Sequence, residues 1–269
     1  MPFDIVLLCL AAVAAGAINA VAGGGTLLTF PALYGVLGMA PGVLSMGEAA
    51  RLANCTSTVA LVPGALAAAW GYRRELAASR QWLARLALPS LLGGILGAAL
   101  LTELSADTFK VLVPWLILTA AVLFALQPQV ARLTGIGQSH AAPTRAAITG
   151  IVMFQFLVAV YGGYFGAGIG ILMLSALAMM GISDIHVMNG LKTVLNALIN
   201  GVSVAWFIAK GDVHWQYASM MAIAAILGGY LGASVSRRLD KNLVRKGVVA
   251  IGFALAAWEF YRQWSGLGK

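Results

Sequence analysis

Long apolar stretches alternate with short polar or glycine-rich breaks from one end of the chain to the other, and their lengths predict the elements. Residues 3–22 are apolar and long enough to cross, or nearly cross, a bilayer. The next run, 26–39, is too short for a comfortable span and reads as a half-helix or one arm of a hairpin. Between them lies Gly23-Gly24-Gly25. After the turn Ala40-Pro41-Gly42 come spans at 48–70, 82–101 and 108–126, then a polar connector, 127–145, with Pro128, Arg132, His140, Pro143 and Arg145. The order then repeats. A span at 146–165 leads into a second glycine cluster, Gly162 to Gly170, followed by a short run at 169–180 and by spans at 185–209, 215–235 and 243–261.

The repetition extends to individual residues. Leu92-Gly93-Gly94-Ile95-Leu96-Gly97-Ala98 matches Leu227-Gly228-Gly229-Tyr230-Leu231-Gly232-Ala233, and the stretch 104–110 matches 239–245. The chain therefore reads as an internal duplication of five elements each, 1–126 and 146–269, joined by the connector. Charge decides their relative orientation. The loop at 71–85 is strongly basic, whereas its counterpart from Lys210 to His214 is nearly balanced. The acidic loop at Glu103 and Asp107 corresponds instead to the basic group Arg237, Arg238, Lys241, Arg245 and Lys246. Basic loops face the cytoplasm, so equivalent loops lie on opposite sides. That requires an odd number of elements per repeat and predicts inverted repeats with both termini outside and the connector cytoplasmic. Four plus four parallel spans would leave one basic loop outside.

Composition fits this picture: 61% hydrophobic and 10% charged residues with a mean hydropathy of +0.89 exclude an ordinary soluble chain and indicate an all-α polytopic membrane protein. The net charge of +8 belongs to membrane-flanking loops rather than to a nucleic-acid surface, because the basic residues cluster between apolar segments without interleaved aromatics. Met1-Pro2-Phe3-Asp4 lacks the basic start of a cleaved signal, so the first stretch is expected to be retained as a helix. Cys9 and Cys55 lie in apolar segments and read as small buried residues.

The candidate chemistry is that of an anion site. In inverted repeats with broken helices or re-entrant hairpins, glycine-rich tips approach the bilayer midplane from opposite sides and offer backbone N–H groups at helix N-termini. Gly23, Gly24 and Gly25 with Thr26, and Gly166, Gly168 and Gly170, are placed to do this, and Asn19 either donates to a ligand or caps the broken helix. The third element of each repeat adds a polar stripe. Arg51, Asn54 and Thr58 follow helical spacing, with Thr56 and Ser57 beside them; in the second half Lys192, Asn196 and Asn200 do the same. A charge within a membrane segment costs roughly 3 kcal/mol or more unless it is solvated or paired, which marks Lys192 and, nearer its helix end, Arg51.

Absences narrow the class. No Asp or Glu lies in the middle of an apolar span, which argues against obligatory proton coupling, and His140, His186 and His214 fall in loops or at helix starts without metal-ligand spacing. No nucleophile elbow, phosphate-loop lysine or nicotinamide fingerprint is present, so neither an enzymatic activity nor a cofactor or metal is expected.

The run Asn19 to Gly25, the run Asn54-Cys55-Thr56-Ser57-Thr58 leading to Pro63-Gly64 and to Gly71-Tyr72-Arg73-Arg74-Glu75-Leu76, and Gly163 to Gly170 with Gly190-Leu191-Lys192 together resemble the TauE/SafE family of sulfite exporters. The resemblance covers nearly the whole chain. It departs at Cys55-Thr56-Ser57, where a Thr-Asn-Thr-like run is expected, and this bears on the substrate rather than on the family. The resemblance implies a multi-pass permease of the bacterial inner membrane for sulfite, organosulfonates or related sulfur oxyanions. Export by alternating access down the membrane potential is the expectation. The alternatives are an uptake permease for another small anion and, less favoured, an intramembrane lipid-phosphate enzyme. The expected partners are the small anion and the lipid bilayer, with no nucleic acid; a homodimer is left open.

Overall fold

A computed structural model describes residues 2–21, 25–39, 44–71, 79–133, 145–180, 182, 185–235 and 241–265. Ten α-helices, and no strand, occur among them. They are α1 Pro2–Val21, α2 Thr26–Gly38, α3 Met46–Gly71, α4 Arg80–Glu103, α5 Ala106–Leu133, α6 Arg145–Tyr164, α7 Ile169–Met179, α8 Ile185–Lys210, α9 Trp215–Val235 and α10 Lys241–Trp264. All ten expected elements are present, including the two short ones. The boundary that moved is at the connector: α5 continues through Pro128 to Leu133, into residues expected to be irregular. Gln127 to Leu133 are, apart from the proline, residues that a helix accepts readily.

Local signals fix several ends. Ser45 and Glu48 form a reciprocal cap on α3: the Ser45 N–H donates to Glu48 Oε2 at 2.8 Å and the Glu48 N–H donates to Ser45 Oγ at 3.2 Å. Ser105 caps α5 by accepting the Thr108 N–H at 3.2 Å.

Among the described residues, four helices, Met46–Trp70, Arg80–Glu103, Ala106–Leu126 and Val187–Lys210, are long and apolar enough to cross a membrane by length and composition. The molecule is apolar on the outside as well as inside. Leu88, Leu92 and Leu96 on α4, Met153 and Leu157 on α6, and Ile223, Leu227 and Tyr230 on α9 form exposed helical stripes, a surface suited to lipid.

Inside, α1 packs chiefly on α9, α4 on α6, and α5 on α10; α3 meets both α8 and α9, and α4 also meets α8. Exchanging α1–α5 with α6–α10 maps these pairings onto themselves. The closest contacts run through glycines. A Cβ on Gly16 of α1 would overlap the carbonyl oxygen of Ala225 and lie 2.8 Å from the Gly229 nitrogen. One on Gly228 of α9 would overlap the Val13 carbonyl. The α4/α6 pair repeats this: Gly97 faces the Val160 carbonyl and the Tyr164 nitrogen, Gly163 faces the Gly94 carbonyl, and Gly93 would meet the Phe156 oxygen at 2.6 Å. The two halves are thus interlocked main chain against main chain.

Direction can be read from paired contacts. Along α5 and α10, Gln263 donates to the Lys110 carbonyl, Trp115 meets the Phe260 ring, and Gly252 meets Ala121, so these equivalent helices are antiparallel. Along α4 and α8, Gly94 meets Ile199, Trp206 donates to Thr102 and Lys210 pairs with Glu103, so these two are parallel. The ends of α4, α8 and α10 and the starts of α3, α5 and α9 therefore share one end of the bundle. Arg80, Arg85, Arg245 and Lys246 lie toward the other. Phe30 of α2 and Phe109 of α5 contact each other and reach across to the second half, Phe30 to Phe165 and Phe109 to Tyr164, at ring separations of 5.4–6.3 Å.

Replacing Gly97 by Ala should destabilise the protein by about 1–3 kcal/mol, because the new methyl strikes main chain that cannot swing away. Gly150→Ala, on the same helix pair but with nothing within 4 Å, should leave the melting temperature in detergent unchanged or raised.

Candidate functional site

Of the first glycine stretch, Gly23 and Gly24 lie outside the described residues. Gly25, the residue before α2, packs back on α1, and its N–H donates to Asn19 Oδ1 at 2.8 Å, so Asn19 holds the entry to α2. A Cβ on Gly25 would come within 2.7 Å of the Ala15 carbonyl. The Leu28 and Thr29 N–H groups return to the Gly25 carbonyl, while those of Thr26 and Leu27 belong to the first turn, which has no intrahelical acceptor.

The second turn is built differently. Phe165 and Gly166 both donate to the Tyr161 carbonyl, and the Tyr161 hydroxyl donates to the Ala167 carbonyl at 2.9 Å. Gly166 and Gly168 have φ of 82° and 79°, conformations that a side chain would strain. Gly168 caps α7 without any side-chain hydrogen bond, and Ile171 is the first residue to return to it. The Ile169 and Gly170 N–H groups stand ahead of that bond at the positive end of α7.

The α8 stripe runs along this turn. A Cβ on Gly170 would lie 3.4 Å from Lys192 Cδ, and one on Gly166 would lie 3.8 Å from Asn200 Oδ1. Asn200 Nδ2 donates to the Asn196 carbonyl and to Asn196 Oδ1 at 2.9 and 3.0 Å. Its position is about 15 Å from the C-terminal end of α8 at ~1.5 Å per residue, near the middle of the helix. The Lys192 ammonium has no hydrogen-bond or ion-pair partner among the described residues.

The α3 stripe divides. Asn54 Nδ2 donates to the Tyr164 carbonyl at 3.0 Å, where α6 ends and leaves that oxygen free, and Asn54 Oδ1 is buried without a partner. Ser57 Oγ shares a 2.6 Å hydrogen bond with Thr29 Oγ1 of α2, and Thr58 returns its hydroxyl to the Asn54 carbonyl. Arg51 and Thr56 face the end of α8 instead. Arg51 pairs with Asp212 at 3.3 Å and donates to the Thr102 carbonyl at 3.4 Å; Thr56 Oγ1 accepts the His214 N–H at 3.0 Å. Asn54, Lys192, Asn196 and Asn200 thus gather at the second turn, whereas Gly25 and Asn19 meet each other, and Arg51 is joined to Asp212 at one end of the bundle.

Two residues important here escaped the sequence reading. Tyr161 carried a signal, since a phenol in an apolar span must find an acceptor. Asp212 lies in a short loop and gave none. Among the described residues no group of three or more His, Cys, Asp or Glu could hold a metal ion, and Cys9 and Cys55 are free thiols.

An all-helical bundle with an apolar exterior, polar stripes turned inward and helices broken at glycines defines a multi-pass membrane transporter. The chain belongs to the TauE/SafE sulfite exporter family, whose profile matches residues 8–258. It is similar to a probable membrane transporter protein of Haemophilus influenzae, 29% identical over 96% of this chain and 94% of the relative. A probable membrane transporter protein of Sinorhizobium, ORF9, is 27% identical over 94% and 90%, and the probable membrane transporter protein YfcA of Escherichia coli K12 is 26% identical over 97% and 91%. No solved structure matches the chain. The protein is a transporter, not an enzyme.

Asn54→Leu should destabilise the fold by about 1–3 kcal/mol, read as a lower melting temperature, because the Tyr164 carbonyl loses its donor inside the bundle. Thr58→Ala, which removes only a bond within the same helix, should change the melting temperature far less.

Proposed function

We propose that this transporter carries sulfite or an organosulfonate and exports it from the bacterial cell across the inner membrane. The observation that carries the proposal is the meeting of Lys192 with the start of α7: a cation without a partner among the described residues runs along Gly170, beside backbone N–H groups that α7 itself does not use. Keeping such a charge within a membrane segment costs roughly 3 kcal/mol or more, which a bound anion would offset. Asn196, whose Oδ1 accepts from the Asn200 amide, offers its own Nδ2 to the donor set, Asn54 borders the same turn from the first half, and Gly166, Gly168 and Gly170 let the anion approach the main chain.

The two halves act as inverted repeats. Support comes from the antiparallel contact of the equivalent helices α5 and α10 and from the gathering of basic helix starts at one end of the bundle. That end is cytoplasmic, and the end with Glu103, Asp107 and Asp212 faces outward. The Arg51–Asp212 and Lys210–Glu103 pairs close the outer end, and rocking of one half against the other opens the site to each side in turn. Export needs no separate fuel, since a monoanion leaving a cell with an interior potential of about −100 mV gains about 2.3 kcal/mol.

In proteoliposomes, Lys192→Ala should reduce flux of labelled sulfite at least tenfold while leaving the melting temperature close to that of the parent; unchanged flux and affinity would remove Lys192 from the site. Orientation is tested separately in a variant lacking Cys9 and Cys55. A cysteine at the exposed Ser105 should react with an impermeant maleimide on intact cells, and one at the exposed Arg80 only after permeabilisation. Labelling of both from outside would contradict the inverted arrangement.

A further inference from the structure

Gln155 lies on α6, fully buried, in a helix otherwise committed to apolar packing. Its Nε2 donates to Ser90 Oγ of α4 at 2.9 Å, and its Oε1 is buried without a partner. A serine hydroxyl both donates and accepts, so it can serve either end of the amide; in either orientation one amide heteroatom is left facing the interior. An amide atom in that condition is costly, more so in a membrane protein, and calls for a reason.

Packing does not supply one. The α4/α6 contact, with Gly93 against the Phe156 carbonyl, has its equivalent in α1/α9, with Gly228 against the Val13 carbonyl. By the same alignment, Ser90 and Gln155 correspond to Ala225 and Ala12, both buried. The equivalent crossing therefore carries only methyl side chains at these two positions, and the Ser90–Gln155 pair is an addition to one interface.

Its position points to the α8 stripe. Helix α6 runs parallel to α4, Gly93 meeting Phe156 and Gly97 meeting Val160, and α8 also runs parallel to α4, so α6 and α8 share a direction. They touch where a Cβ on Gly162 would lie 3.1 Å from Ile199 Cγ2. Seven residues earlier on each helix, two turns back and on the same face to within about 20°, stand Gln155 and Lys192. Around that level the neighbours are otherwise apolar: Leu86, Ile151, Val158, Leu191 and Leu195.

We infer that Gln155 is a specificity-determining residue of the anion site. Its amide turns inward to donate Nε2–H to an oxygen of the anion held by Lys192, while Ser90 holds the amide by donating its hydroxyl to Oε1. This rests on the reading of the Lys192 stripe as the anion site, and it adds a donor from α6 suited to a three-oxygen sulfur head group.

Gln155→Met tests it, because an unbranched apolar chain of similar length fits the surrounding cluster without a cavity. In proteoliposomes the variant should melt at or above the parent temperature, while the sulfite concentration for half-maximal flux rises about tenfold, as expected when a buried donor to an anion is lost. Ser90→Ala should raise it about threefold by releasing the amide. If Gln155→Met leaves half-saturation unchanged while Lys192→Ala abolishes flux, the inference is wrong and the Lys192 site stands. If neither variant alters flux, the site itself is misplaced. Should Gln155→Met fail to fold, Ser90→Ala decides alone, and an unchanged half-saturation overturns the inference.

Discussion

The structure depends on close main-chain contact between helices from different halves. In lipid the hydrophobic effect gives little reason for two apolar helices to associate, so the attraction must come from dispersion and from backbone groups brought unusually near. Glycine permits that approach. At Gly16 and Gly228, and again at Gly93, Gly97 and Gly163, the facing surface is a carbonyl oxygen or an amide nitrogen rather than a side chain. Contacts of this kind allow weak Cα–H···O interactions and leave no slack for sliding. They tie α1 to α9 and α4 to α6, so each half is completed by the other.

That interlocking positions the polar groups. The second glycine turn lies where α6, α7 and α8 meet, and it is pinned from both halves: by Tyr161 within its own hairpin and by Asn54 from α3. With the turn fixed, α7 starts at a defined place, and the Lys192, Asn196 and Asn200 stripe passes alongside it. The charges at the end of the bundle near Asp212 are arranged in the opposite way. Arg51 is joined to Asp212 and to the Thr102 carbonyl, and Lys210 lies between Glu103 and the Trp206 ring. Most buried polar side chains have internal partners. Among the described residues, the fully buried side-chain atoms without a partner belong to Asn54, Gln155, Tyr164 and His214, and the first two stand where helices of both halves meet.

Much of this was legible before any coordinates. Span lengths are set by bilayer thickness and by the 1.5 Å rise of a helix, so an apolar run as short as 26–39 already implied an interrupted element. A five-plus-five order followed from the matching Leu-Gly-Gly motifs. Lys192 could be singled out because a deep charge is costly wherever it lies. Asn19 was left between ligand and cap, and the structure shows it accepting from Gly25. The Thr56 hydroxyl gave no hint of its partner, the His214 N–H, which lies 158 residues away.

The sequence by itself determined the membrane class, the ten helices, the two breaks and the cations that lipid would not tolerate unpaired, because these depend on local properties: length, hydropathy, backbone freedom and the cost of burying charge. Only the tertiary structure decided which polar residues meet. Arg51 and Lys192 both open a polar stripe on the third helix of a repeat, yet one finds a carboxylate from a distant loop and the other runs along the start of a short helix. Which happens depends on how two remote helix ends come to lie together, and no spacing along the chain records that.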